Sequence, residues 1–523
     1  MLQPTIIQVQ TADDTWLSLT AQGEQWQAAA VVVQTPATAA AGLQVTILPT
    51  KCRLQRVKLT WSTHYAPDTL FFGDAFERAY GDLRFTPLDE EKPYYWYLIA
   101  ATAHANTCWG VATQPNALCA WTTAADSISL WLDVRSGTAP LDLSQRQLDC
   151  CTILHHDYPK QSPSVTLSDF CQRLNADQPA PPTEKIIGTN DWYYAYGNNS
   201  KAAVLANASA VVDLCQGLPY QPWVVIDDGW QVAHQADYNG GPWTGGNQKF
   251  GDMSAVAQAI KTRGARPGLW FRPLLANQPE LRPLALHAAD STAFTLDISR
   301  QEVLDQIAAD MHRFKQWGFE LVKYDFSCFD VLQQWGPTMG LTYAHGPVIF
   351  HDQTKTTAEL FKQLYRTIKE AAGEMLVMGC NVVSHLAAGL IDVMRIGDDT
   401  SGHAFHRTVA MGVNALAFRM PQHNQFYQVD GDCVGITADI PWAKNLQWLN
   451  LLADSGTPLL VSCDFSQLTA EQKRDLAATF ARNYAQTDLL LPKLPMQGRY
   501  PTAWQAGAQT YDYTWRYNLL EPI

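Results

Sequence analysis

The chain has 523 residues, 47% hydrophobic and 17% charged, with 37 basic against 50 acidic side chains and a formal net charge of −13. That length calls for two or three domains, and that apolar fraction for a large core rather than a disordered polypeptide. An acidic chain lacks the basic surface that phosphate backbones require, so nucleic acid is excluded as a partner class.

The N-terminal stretch MLQPTIIQVQTADDTW has neither a basic n-region nor an apolar h-region, so no signal peptide is expected. No apolar run approaches the roughly 18 residues of a membrane span. The eleven cysteines are scattered without CxxC spacing and read as reduced thiols, which places the chain in the cytoplasm. Eighteen tryptophans and twenty tyrosines either enlarge the core or offer flat platforms to sugars; composition favours the first and leaves the second open.

Up to about residue 175 the chain is a series of short alternating or apolar runs, among them LQVTIL, RLQRVKLTW, YYWYLIATA and SISLWLDV. Their spacing predicts an antiparallel β-sandwich over 1–178. NADQPAPPTEK, 175–185, is a proline-rich connector and marks the boundary. Beyond it, apolar runs alternate with helical patterns. The runs are KIIGTN (185–190), PWVVIDDG (222–229), RPGLWFRP (266–273), ELVKYDFS (320–327), EMLVMGCN (374–381), DVMRIGDD (392–399), NALAFRMP (414–421) and GTPLLVSCD (456–464). Segments such as SRQEVLDQIAADMHRFKQWG and TAELFKQLYRTIKEAAG carry apolar residues at i, i+3, i+4 and i+7 between them. Eight such units predict an α/β fold, a (β/α)₈ TIM barrel over 185–485, because parallel strands bury both faces and eight of them close naturally into a barrel; an open doubly wound sheet is the alternative. The tail, 486–523, offers only TAWQAG and AQTYDYTWRY, a short and truncated-looking C-terminal β segment.

Active sites of such barrels lie at the C-terminal ends of the strands. Here those ends carry Asn190-Asp191-Trp192, Asp227-Asp228, Trp270 with Arg272, Lys323 with Asp325, Cys380, and Arg395 with Asp398-Asp399. One such residue is usually a loop start or a helix N-cap; this many together point to a site. Lys323 and Asp325, two apart on a strand, share a face. A cation there keeps a carboxylate ionised as a nucleophile, or forms a structural ion pair. A second acid pair across the pocket supplies what glycoside hydrolysis needs: one carboxylate at the anomeric carbon, one acid at the leaving oxygen. Asp227-Asp228 then accept from sugar hydroxyls, and Trp192, Trp230 or Trp270 can cover a ring face. Competing chemistries are weaker. Asp399, His403 and His406 have ligand-like spacing without a second cluster, so no metal and no cofactor is expected. GGPWTGG (240–246) lacks the GK[ST] ending of a phosphate loop and reads as a flexible active-site loop. Cys328 and Cys380 have no paired His for a cysteine nucleophile.

In order along the chain, VVIDDGWQ, GLWFRP, LVKYDFS, MGCN and IDVMRIGDDTSG resemble glycoside hydrolase family 36, the melibiase-type α-galactosidases. The resemblance runs from GTNDWYYAYG to SGTPLLVSCDFSQLTAEQK. It implies a retaining hydrolase that releases α-galactosyl residues from small oligosaccharides of the melibiose or raffinose type through a covalent galactosyl-enzyme. By position it implies Asp325 as nucleophile and Asp399 as acid/base; an S-D-N pattern in other branches keeps Asp398 open. It further implies Asp227 and Asp228 on the galactose 4- and 6-hydroxyls, Lys323 and Arg395 on ring hydroxyls, Trp192, Tyr193 and Trp270 as walls, and Cys380 near O2. Arg272 stands where relatives often carry a small or acidic residue, and Ser327 where many have Asn. An α-N-acetylgalactosaminidase, a raffinose-synthase-like transglycosidase and, from another class, a non-catalytic sugar-binding module stay open, as does the oligomeric state, a homo-oligomer included. The expected partner is a small carbohydrate, without nucleic acid or membrane.

Overall fold

The computed structural model describes residues 3–39, 42–286, 292–493 and 498–515. The first part is built of strands, as expected, and hydrogen bonding joins fourteen of them into one continuous antiparallel sheet. Its backbone is the 13-residue strand Thr50–Ser62, paired with Ile6–Thr11 on one side and Ser127–Asp133 on the other. Leu54, Val57, Leu59 and Trp61 are buried along it while Lys51 and Ser62 are exposed, the period-2 pattern of a strand with one face on a core. Trp61 packs against Trp109 and Trp121 at centroid distances of 5.3 and 6.1 Å. These indoles are core, where each buried aromatic contributes on the order of 2–3 kcal/mol. Helix Pro163–Leu174 closes this part, inside a span that reads as strands from sequence. The proline-rich connector 175–185 has no helix or strand.

The second part is a mixed α/β region around a nine-stranded parallel sheet. Ile187–Asn190, Trp223–Ile226, Arg266–Phe271, Leu321–Tyr324, Leu376–Gly379 and Val393–Arg395 follow one another in chain order, and Ile187–Asn190 also pairs with Leu459–Ser462. The two ends of the path, Gln428–Asp430 and Val434–Gly435, belong to one bent segment that pairs with Val393–Arg395 on one side and with Leu459–Ser462 on the other. The expected helices are present. Thr357–Ala372 opens with a capping box, Thr356 and Glu359 each satisfying the other's backbone N–H. Gln301–Trp317 ends at Gly318, whose φ of +93° is the left-handed stop.

The seventh expected strand is a correction. NALAFRMP is helix, Asn414–Arg419, and the strand of that unit is Gln428–Asp430. A short apolar run does not separate a buried helix from a buried strand. Here the polar residues decide. Asn414 accepts from the Leu83 N–H and donates to the Leu83 C=O, and Arg419, fully buried, pairs with Asp74 at 3.0 Å and donates to Ser384 at 2.7 Å. The segment HAFHRTVAMG (403–412) widens into a π-turn over Thr408–Val413.

After residue 486 a small antiparallel sheet, Leu491–Pro492, Ala503–Ala506 and Gln509–Asp512, contains the expected short strands; Arg516, Tyr517 and the rest of the tail lie outside the described residues. No helix among the described residues is long and apolar enough to cross a membrane. Ten of the eleven cysteines are buried and all are free thiols.

Candidate functional site

The C-terminal ends of the parallel strands surround a cavity of about 260 Å³. The strand Trp223–Ile226 is buried throughout and delivers Asp227 and Asp228 to this rim. Two adjacent acids survive there because each is separately satisfied. Asp227 Oδ2 accepts from Lys323 Nζ and Asn190 Nδ2, both at 2.7 Å, while Oδ1 accepts from the Asp228 N–H at 2.9 Å. Asp228 accepts from Gln231 at 2.7 Å and Asn239 at 3.2 Å, with His234 Nδ1 3.3 Å away. A third acid, Asp191, takes the Asp227 N–H at 2.8 Å. Burial, with the Asp227 charge adding, pushes its carboxyl up to about 7, so near neutral pH it sheds part of the charge that would crowd its neighbours. Gly229 follows at φ +114°, where a Cβ would lie 2.4 Å from the Gly197 carbonyl oxygen. That turn sends Trp230 inward.

Asp325 follows the strand Leu321–Tyr324 and lines the same cavity as the acid pair that follows the sixth strand. Its Oδ2 faces Trp270 Nε1 at 3.3 Å and its Oδ1 takes the Phe326 N–H at 2.7 Å. The chain then turns left-handed at Phe326, φ +59°. Lys323 does not pair with Asp325; its ammonium is bound to Asp227, whose charge overcomes burial and holds the lysine well above its ordinary value.

Arg395, fully buried at the end of Val393–Arg395, reaches Asp432 at 2.5 Å, Asp399 at 3.1 Å and the Tyr193 hydroxyl at 3.4 Å. Asp398 lies between Arg407 at 2.7 Å and Arg78 at 3.3 Å, one guanidinium on each oxygen, with 20% of its side chain exposed. Asp399 is the more open acid, at 42%. Burial pushes the Asp399 carboxyl up, but the guanidinia of Arg395 and Arg78 outweigh it and hold the group below its ordinary value.

No protein-family model matches the chain. An α-galactosidase from Thermus thermophilus, solved with p-nitrophenyl α-D-galactopyranoside, is similar in structure with a TM-score of 0.62 at 16% identity, over 97% of this chain and 99% of that one. The GH36 α-galactosidase AgaA from Geobacillus stearothermophilus gives 0.64 at 14% identity, over 97% and 79%. A variant of AgaA in complex with raffinose gives 0.63 at the same identity and coverage. The fold is that of the GH36 α-galactosidases.

On this GH36 fold, of the residues singled out from sequence, Trp192, Asp227, Asp228, Trp270, Lys323, Asp325, Asp398 and Asp399 line the cavity. Tyr193, Arg395 and Cys380 do not. They are buried behind its wall, Tyr193 donating to Asp432 and Cys380 pushed far up by burial and the nearby Asp325 charge. Trp230 is no platform: it is core, packed on Trp243, Phe314 and Trp317, with its Nε1 on the Trp270 carbonyl at 2.9 Å. Arg272 is held by Asp330 at 2.5 Å and by Asn239 at 2.6 Å, and the Ser327 hydroxyl donates to Asn381 C=O at 2.9 Å. The loop GGPWTGG is pinned by buried Trp243, which packs on Trp270 and Phe271. His403 turns to Asp439 at 2.5 Å, and no group of three metal-ligating side chains occurs among the described residues.

Sequence reading misses Arg78, Asn239, Phe326 and Trp335, which also line the cavity. Asn239 follows the second strand in a loop whose turn residues signal a connection but not a ligand. Arg78 comes from the antiparallel part, where no local pattern points to a site 300 residues on. Asp430 and Asp432 are missed because the seventh strand is placed on the wrong run. Burial, partly offset by Arg395, pushes Asp430 up to about 6.

Proposed function

We propose that this protein is a retaining α-galactosidase acting on small α-galactosides of the melibiose or raffinose type. The observation that carries the reading is one cavity that presents the Asp325 carboxylate, the Asp398-Asp399 pair and the anchored acids Asp227 and Asp228 together. The parallel sheet is read as an eight-stranded (β/α)₈ barrel over 185–485, closed through the bent segment 428–435, between a sandwich-type region 1–178 and the β segment 486–523.

The mechanism follows from the geometry. Asp325, oriented by Trp270 and the Phe326 N–H, attacks the anomeric carbon as the bond to the leaving oxygen breaks and Asp399 gives that oxygen its proton. Asp399 then takes a proton from water, which attacks the same carbon and releases Asp325. Two inversions retain the configuration. Asp399 fits the acid/base role better than Asp398, both of whose oxygens are held by guanidinia. Asp227 and Asp228 accept the galactose 4- and 6-hydroxyls, Lys323 fixes Asp227, Trp192 and Trp270 wall the ring, and buried Arg395, Tyr193 and Cys380 support that wall.

Two measurements test this. In kcat/KM, nitrophenyl α-galactoside is expected to exceed the α-glucoside at least about a hundredfold, since an equatorial O4 forfeits its bond to a charged acceptor. Bonds to charged acceptors are worth about 1.5–3 kcal/mol each. Asp228→Asn should shrink that preference and slow galactoside turnover. Equal values for the two native sugars overturn the galactose assignment. Asp399→Ala should lose about two to four decades on raffinose and far less on nitrophenyl galactoside, whose leaving group needs no proton. If Asp398→Ala discriminates by leaving group instead, the acid/base role moves to Asp398.

A further inference from the structure

Arg78 reaches the cavity from the antiparallel part, on a loop locked to the strand end that bears the acid pair. The Ala79 N–H donates to Ile396 C=O at 2.9 Å, and the Asp398 N–H donates to Ala79 C=O at 2.8 Å. The Arg78 side chain is 6% exposed, and its guanidinium lies 3.3 Å from Asp398 and 3.8 Å from Asp399, with Trp335 over it at 5.2 Å. Its neighbour Glu77, wholly buried, is fixed by the Arg78 N–H at 2.7 Å, Asn381 at 2.8 Å and the Gly336 N–H at 3.2 Å, and pairs with Arg78 at 3.4 Å. The guanidinium therefore sits in a rigid socket, unlike a surface arginine free to swing.

We propose that Arg78 is a positioning residue that holds the Asp398 side chain in place, leaves Asp399 as the carboxyl that exchanges a proton, and sets the pH range of that exchange. The proposal rests on the acid/base reading above. Arg407 holds the second oxygen of Asp398, so that acid has a cation on each side. Asp399 shares Arg395 with Asp432 and meets Arg78 at the longer distance. Around Asp399 stand the basic side chains Arg395, Arg78, Lys323 and Arg407, the neighbouring carboxyl groups of Asp398 and Asp432, and the Tyr193 and Tyr196 hydroxyls. Burial raises the Asp399 carboxyl; Arg395 and then Arg78 are the strongest of the groups that lower it.

Removing the Arg78 charge raises the proton affinity of Asp399. A general acid works protonated, so activity is lost as pH rises through its pKa, and a raised pKa carries that basic limb upward. Arg78→Met is expected to shift the limb of kcat/KM on raffinose upward by about one pH unit, the lower end of what one opposite charge at this range produces. Arg78→Lys, which keeps the charge and loses the fork, should shift it by less than half as much. A merely structural role would lower activity equally at every pH. The same shift is read without substrate by titrating ¹³C-carboxyl-labelled aspartates, with Asp399→Asn assigning the signal. If Arg78→Met loses its melting transition, Arg78→Gln takes its place, removing only the charge. An unmoved Asp399 titration overturns the proposal. A moved titration in a protein that turns over no α-galactoside instead upholds the role of Arg78 toward the acid pair and removes the α-galactosidase reading.

Discussion

Asp325→Ala is expected to lose about four decades of kcat on nitrophenyl α-galactoside while remaining folded. The carboxylate forms no ion pair among the described residues; it accepts one bond from Trp270 and one from the backbone of Phe326. Leaving two such donors to water in an open cavity costs about 1 kcal/mol, so melting should barely move. Covalent catalysis depends on one oxygen at the anomeric carbon, and no neighbour can replace it: Lys323 and Asp227 are committed to each other. Azide, small enough for the vacated space, should restore turnover and yield a galactosyl azide of inverted configuration. Near-native kcat in the alanine variant ends the assignment.

Arg419→Met is expected to lower stability by about 3–5 kcal/mol, read from urea midpoints. Arg419 is fully buried and joins the two parts of the chain. It faces Asp74 at 3.0 Å and donates to Glu77 C=O at 2.8 Å, Ile396 C=O at 3.0 Å and Ser384 at 2.7 Å. Asp74 then stays buried, keeping only neutral partners such as Gln422 at 2.7 Å. Burial already pushes its carboxyl up even with Arg419 present, which marks desolvation as the larger effect. For that reason Arg419→Met combined with Asp74→Leu should recover part of the loss, since removing both charges leaves none unpaired. A double variant no more stable than Arg419→Met alone would show that the remaining hydrogen bonds, not the ion pair, hold the junction.

The alternation of apolar runs and helical patterns beyond residue 185 was legible because strand and helix periods are local properties. Thr357–Ala372 is an example: its cap, its apolar stripe and its closing Gly373 all stand in consecutive text. NALAFRMP was not legible, since its helical state rests on Leu83 and Asp74, more than 330 residues earlier. Misplacing that strand hid Asp432, the closest acid to Arg395.

Residue identity and the phase of a buried run are written locally, so Asp227-Asp228, Asp325 and Asp398-Asp399 could be assigned to strand ends from the chain alone; all five line the cavity. Tertiary structure decided what each of them meets. Lys323 stands two residues from Asp325 yet binds Asp227, Trp230 enters the core while Trp270 faces Asp325, and Arg78 reaches Asp398 from a loop of the antiparallel part. Charge pairing depends on distance through space, and in a fold whose sheet brings residue 78 to residue 398, spacing along the chain carries no measure of that distance.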